Sequence, residues 1–151
     1  MKTAIFPGSF DPFTIGHLSI VERALPFFEK IIIAIGDNYS KKPFFSIEER
    51  INNIKNIFAD NPKIEIKSYT CLTVDFCKEN NCSIIIRGLR NSFDFENERN
   101  IAEANKFLDN NIETFFMLAL PEHSFISSSL VRDLLKHSKN VEKFLYNNKI
   151  K

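Results

Sequence analysis

The sequence predicts an α/β fold, a Rossmann-like open parallel sheet of five strands with helices on both faces. Three observations lead there. Short apolar strands alternate with amphipathic helices along the whole chain. The connections are short, which favours parallel strands joined by helical crossovers. The four glycines, Gly8, Gly16, Gly36 and Gly88, gather at one place in this pattern: three stand just past proposed strands and Gly16 closes the loop after the first. In an open α/β sheet that carboxyl edge is where ligands bind. A length of 151 residues fits one domain, 1–151. A chain of this size buries about 70% of its unfolded surface and needs no disulfide or metal staple.

Taken in order, Ala4 to Phe6 reads as a buried strand and residues 17–29 as a helix. Ile31 to Ile35 is a second strand, rich in β-branched residues. Ser46-Ile47-Glu48-Glu49 is a capping box that opens a helix over 47–58. Lys63 to Lys67 alternates charged and apolar positions, as an edge strand does. A helix over 73–80 and a strand from Ser83 to Ile86 follow, then a helix over 94–108 and a strand from Glu113 to Leu118. The serines at 127–129 are caps for a helix from Ser128 to Lys136, and a short helix lies near the C-terminus. With glycine so scarce elsewhere, the four glycines are expected at positions of positive φ or close backbone approach.

Composition excludes several classes. Lysine and arginine number 20 against 19 acidic residues, a net charge of +1, far from the basic excess of a nucleic-acid binder. The sixteen phenylalanines suggest base-stacking platforms, but their spacing places most of them at core positions. No apolar run approaches the length of a membrane span, and the N-terminal apolar stretch is too short for a secretory signal. Cys71, Cys77 and Cys82 are odd in number and lack C-x-x-C spacing, so they read as reduced thiols of a cytoplasmic protein.

Four segments at the ligand edge suit anions. The first loop, Pro7 to His17, joins a strand to a helix, so free amides and a helix N-terminus face one space. It is neither a Walker A loop nor a G-x-G-x-x-G turn. Its basic group is His17 on the first helical turn, where the dipole disfavours the protonated ring and a bound polyanion favours it. The plain alternative is a capping or packing histidine. Lys41-Lys42-Pro43 after the second strand offers a point charge. Arg87-Gly88-Leu89-Arg90 after the fourth strand offers two guanidinium forks, with Asp94, Glu96 and Glu98 close by as ordinary salt-bridge partners. His123 to Arg132 after the fifth strand places serines at a helix start. No carboxylate pair or Ser-His-Asp order stands out. Several phosphate binders without an activated nucleophile point to direct phosphoryl or nucleotidyl transfer.

Thr14-Ile15-Gly16-His17 matches the [HT]-x-G-H motif of the nucleotidylyltransferase superfamily, and Ile126 to Arg132 matches its I-S-S-[ST]-x-x-[RK] signature. Pro7 to Pro12, Ser40-Lys41-Lys42-Pro43 with Glu48-Glu49-Arg50, Arg87 to Arg90 and Phe95 to Glu98 narrow the match. From about residue 3 to 145 the chain resembles the bacterial phosphopantetheine adenylyltransferases. The resemblance implies transfer of the adenylyl group of ATP to 4′-phosphopantetheine, giving dephospho-coenzyme A and pyrophosphate, with Mg²⁺, in a homohexamer built as a dimer of trimers. It also implies site residues. Ser9 touches both substrates and Phe10 lines the ATP site. His17 contacts the ATP phosphates and stabilises the transition state. Lys41 and Arg87 hold the acceptor phosphate and Thr73 lines the pantetheine arm. Gly88, Leu89, Arg90, Glu98, His123, Ser124, Phe125, Ile126, Ser127, Ser128 and Ser129 belong to the ATP site, and Lys41 and Arg90 join His17 in catalysis. Asn97 and His123 depart from the aromatic residues usual there and bear on nucleotide packing. Other readings of the fold are transfer to nicotinamide mononucleotide or a polyol phosphate, and a non-catalytic nucleotide sensor.

Overall fold

The computed structural model describes residues 2–37 and 42–146. Five strands form one sheet: β1 (Thr3–Gly8), β2 (Lys30–Gly36), β3 (Ile64–Tyr69), β4 (Ile84–Leu89) and β5 (Glu113–Leu118). The helices are α1 (Ile15–Ala24), α2 (Ile47–Ile57), α3 (Thr73–Glu79), α4 (Ser92–Leu108) and α5 (Ser128–Lys136). The strand order is β3-β2-β1-β4-β5 and every pairing is parallel. The chain winds outward from β1 to β3, then returns past β1 to β4. The direction of winding therefore reverses between β1 and β4, which opens a crevice at their carboxyl ends.

The period of two along each strand divides the core. Ala4, Phe6, Ile31, Ile33 and Ile35 pack on one face with Leu18, Val21, Ile54 and Phe58 from the α1 and α2 region. Ile5, Ile32, Ala34 and Ile85 pack on the other with Val74, Phe76 and Cys77 of α3. Strands buried on both faces need apolar residues at nearly every position, which is why β1 and β2 read as continuous apolar runs. β3 lies at the sheet edge, as its alternating charges predict, and is only half-buried.

Several expectations need correction. The first helix ends at Ala24 and not near 29, and Leu25–Phe27 forms a 3-10 turn instead. Pro26 lacks an amide proton and cannot continue the α-helical ladder. The fourth strand runs on to Leu89, so Arg87 and Gly88 are strand residues. α4 starts two residues early because the Asn91 side chain caps it by accepting the Asp94 amide. The short C-terminal helix is a single 3-10 turn, Glu142–Phe144.

No glycine takes a positive φ; Phe10 does, at 46°, with Asn81 and Ser138. Glycine serves as a space-maker here: a Cβ on Gly8 would meet the Phe10 ring at 2.9 Å. The phenylalanines are not mostly core. Phe6, Phe10, Phe13, Phe58 and Phe76 are buried, whereas Phe27, Phe44, Phe93, Phe95, Phe107, Phe115 and Phe125 are exposed. Three of these, Phe93, Phe95 and Phe107, lie on α4, whose helical spacing resembles a core helix although none of its residues is buried.

Candidate active site

The Thr14-x-x-His17 spacing is that of an N-cap and the third helical residue, and the two form a capping box at the start of α1. His17 Nδ1 accepts the Thr14 amide at 3.0 Å, and the Thr14 hydroxyl stands 3.2 Å from the same nitrogen. The neutral ring therefore carries its proton on Nε2. The ring is boxed by aromatic neighbours, with Phe10 edge-on at 5.1 Å and Phe13 at 5.3 Å between centroids. Burial, reinforced by the positive charges of Arg87 and Arg90, lowers the imidazole pKa from 6.5 to about 3. Capping and anion binding are thus compatible in one side chain, because each uses a different nitrogen.

The first loop is tied back through its carbonyls. Arg87 Nη1 donates to Pro7 O, Arg50 Nη1 donates to Ser9 O at 2.9 Å, Arg132 Nη1 donates to Asp11 O at 2.8 Å and the Ser128 hydroxyl donates to Pro12 O at 2.8 Å. Donors from α2, β4 and α5 thereby fix one loop from three sides. The two guanidinium forks expected to hold phosphate each carry a carboxylate: Arg87 pairs with Glu98 at 2.7 and 2.5 Å, and Arg90 with Asp94 at 2.8 and 3.0 Å. A phosphate arriving at either fork competes with that carboxylate for the same donors.

Two adjoining clefts open at the carboxyl edge. One, of about 290 Å³, is lined by Ser9, Phe10, His17, Arg87, Gly88, Arg90, Asp94, Glu98, Ser127, Ser128, Ser129 and Arg132. The other, of about 1340 Å³, is lined by Ser9, Asp37, Lys42, Arg50, Tyr69, Thr73, Arg87, Glu98 and Arg132 among others. Ser9, Arg87, Glu98 and Arg132 belong to both, so the clefts share a wall of loop and guanidinium groups. The imidazole at 17 and the guanidinium at 90, from different elements, line one space.

Not every expected residue reaches the clefts. Leu89 and Ile126 are buried, and His123, Ser124 and Phe125 line neither cleft. Ser124 turns its hydroxyl onto Pro121 O, Phe125 is exposed, and His123 Nδ1 is buried with no partner. Lys41 lies outside the described residues; Lys42 lines the larger cleft. Among the described residues no three His, Cys, Asp or Glu side chains stand together as metal ligands. The sequence alone assigns no separate role to Arg132, Arg50 or Asp11, whereas Asp94 is the salt-bridge partner expected, and pairs with Arg90. The signal for Arg132 is its place at the end of the serine-rich motif, one and a half turns after Ser127. Arg50 closes the Glu48-Glu49-Arg50 match, but nothing in the periodicity marks its burial, since an arginine inside an amphipathic helix is ordinarily solvated.

A strand-order reversal with helix N-termini and guanidinium groups around a divided cleft defines a nucleotide-handling α/β protein. The family model described as cytidylyltransferase-like matches residues 5–134, and the chain belongs to that family. A bifunctional NMN adenylyltransferase/ADP ribose pyrophosphatase from Francisella tularensis shares the fold, with a TM-score of 0.77 at 17% identity; the match covers 98% of this chain and 46% of that one. Proteins named phosphopantetheine adenylyltransferase are much nearer in sequence. One from Bacteroides thetaiotaomicron is 48% identical over 145 residues, covering 96% of this chain and 95% of the relative. One from Cytophaga hutchinsonii is 49% identical, covering 95% and 96%, and one from Nautilia profundicola is 48% identical, covering 98% and 96%. Within the cytidylyltransferase-like family the chain therefore belongs with the phosphopantetheine adenylyltransferases.

Proposed function

We propose that this protein transfers the adenylyl group of ATP to 4′-phosphopantetheine, releasing pyrophosphate and forming dephospho-coenzyme A, the penultimate step of coenzyme A synthesis. The observation that carries this reading is the pair of clefts joined along Ser9, Arg87 and Arg132. Two phosphorylated reactants held on either side of that wall meet at their phosphates. The smaller cleft takes the ATP phosphates, using Phe10, His17, Gly88, Arg90 and Ser127 to Ser129, with Glu98 on the shared wall. Leu89 and His123 to Ile126, which the resemblance gives to the ATP site, stand outside the lining of that cleft. The larger takes the acceptor, with Arg87 and Lys41 on its phosphate and Thr73 along the pantetheine arm.

In this arrangement an acceptor phosphate oxygen attacks the α-phosphorus. The new P–O bond forms as the bond to the bridging oxygen of pyrophosphate breaks, and pyrophosphate leaves with that electron pair. No covalent enzyme intermediate is needed. Charge grows on the non-bridging oxygens and on the leaving group, where preorganised donors act without reorganising. His17 supplies Nε2–H as a neutral donor, and Arg90 and Arg132 supply fixed charge. Mg²⁺ enters as part of the ATP substrate, neutralising phosphate oxygens.

A homohexamer and a cytoplasmic location complete the proposal. Exposed phenylalanines on α4 and β5 support the first. Free Cys71, Cys77 and Cys82 support the second, and among the described residues no helix is long and apolar enough to cross a membrane. The deciding experiment measures pyrophosphate release with ATP and 4′-phosphopantetheine, beside nicotinamide mononucleotide and a polyol phosphate as competing acceptors. Turnover confined to 4′-phosphopantetheine is expected. Turnover with another acceptor alone reassigns the substrate, and none with any acceptor leaves a nucleotide sensor.

A further inference from the structure

We infer that Arg50 and Asp11 are positioning residues that set the geometry of the acceptor half of the site by stitching the first loop to the entrance of α2; the substrate side of this inference rests on the function proposed above. Arg50 is 3% exposed, although it sits on an 11-residue helix whose other charged residues are solvated. Its fork reaches three acceptors on two strand ends: Ser9 O at 2.9 Å beyond β1, Gly36 O at 3.3 Å closing β2, and Asp37 Oδ1 at 3.2 Å. Asp11 makes the return connection. Its buried carboxylate accepts the Phe44 and Phe45 amides, each at 2.8 Å. One tie runs from helix to loop and the other from loop to the helix entrance, so neither segment shifts without breaking both.

Stability alone does not account for this pair. Arg50 and Asp11 are not paired with each other; each buries a charge against backbone groups, with Asp37 on the Arg50 fork, and desolvation offsets much of what such contacts contribute. Directional contacts fix position, which apolar packing does less sharply. The position fixed here is that of Ser9 relative to Gly36 and Asp37. Arg50, Asp11, Gly36 and Asp37 line the larger cleft and none lines the smaller. The clamp therefore acts first on the acceptor side, where Arg50, Asp11, Gly36 and Asp37 all stand, and reaches the nucleotide side through the shared Ser9. Lysine cannot replace Arg50, since an ammonium presents no planar fork with which to hold three separated oxygens.

The test is steady-state kinetics of Arg50→Lys with each substrate varied in turn. The KM for 4′-phosphopantetheine is expected to rise roughly 10-fold or more while that for ATP stays within about 2-fold. Equal changes in both, or a lower kcat with both KM values intact, would reduce Arg50 to a structural role and overturn the inference. Asp11→Asn, which keeps the shape but accepts one amide in place of two, is expected to show the same split and carries the test should Arg50→Lys not fold. Hydrogen exchange reads the clamp without any substrate. Faster exchange confined to residues 9–12 and 42–46 in either variant supports it, and unchanged exchange there overturns it. Wild-type turnover, measured first, separates failure of the functional reading from failure of the clamp.

Discussion

At His17, one ring nitrogen is committed to the fold and the other is left for chemistry. Nδ1 closes the capping box of α1, and protonating it would break the bond from the Thr14 amide. The ring that lines the smaller cleft is therefore neutral at physiological pH, held so by burial and by Arg87 and Arg90. A neutral donor does not need to lose a proton during turnover, which suits stabilisation of phosphate charge better than acid–base work. His17→Ala is expected to lower kcat roughly 10²–10³-fold, the cost of one preorganised donor, with the fold retained by circular dichroism. The same ring affects acid stability. Its pKa is about 3 when folded against an ordinary 6.5, so the unfolded chain binds the extra proton. Stability contributed at neutral pH is then lost as pH falls below 6.5, by up to about 1.4 kcal/mol per pH unit. In urea unfolding between pH 7 and 4, the wild type should lose more stability than His17→Gln; parallel losses would show that the imidazole is not desolvated.

At the level of elements, local chemistry decides how far sequence can be read. Ser46 accepts the Glu49 amide at 3.2 Å while Glu49 accepts the Ser46 amide at 2.8 Å, the reciprocal pair its sequence predicts. Ser46→Ala is expected to cost about 0.5–2 kcal/mol in urea unfolding. Both KM values should stay unchanged, in contrast to Arg50→Lys one turn further along the same helix. The strands of the sheet centre are legible because burial on both faces demands unbroken apolar runs, and β3 is legible as an edge because its charges alternate. Element ends are less so. Pro26 ends α1 earlier than periodicity suggests, and β4 carries Arg87 and Gly88 inside the strand. The site is legible where a motif is also a local structure, as with Thr14 to His17. It is not legible where partners meet only in space. Nothing in the spacing of Asp11, Phe44 and Arg50 announces that they converge, and the positive φ expected of glycine falls to Phe10 because the Gly8 gap admits its ring.

For the whole molecule, the apolar surface is the feature that the sheet does not explain. With about 100° per residue, Phe93, Ile101, Phe107 and Leu108 fall on one side of α4, within roughly 120° of arc. All four are exposed, Phe107 at 92%. Phe95 points the other way, toward Phe116 of β5, with ring centroids 6.1 Å apart. α4 thus has an inner aromatic contact and an outer apolar face; on β5, Leu118 is exposed too, and Phe115, on the sheet face opposite Phe116, is exposed beside Phe28. A monomer rarely leaves a contiguous apolar surface of this kind in water. Closed symmetry covers such a face with its own copy and leaves no unmatched surface to grow a filament. Ile101, at one edge of this face, also lines the larger cleft, so a copy packed on Phe93, Phe107 and Leu108 would border that cleft. Light scattering of the wild-type protein should give a mass six times the 17.5 kDa of one chain. Phe107→Asp buries a charge at the contact and should shift the population to smaller species, with lower thermal stability at low protein concentration. A wild-type protein that runs as a monomer, or a Phe107→Asp variant of unchanged mass, would assign this apolar face some other use.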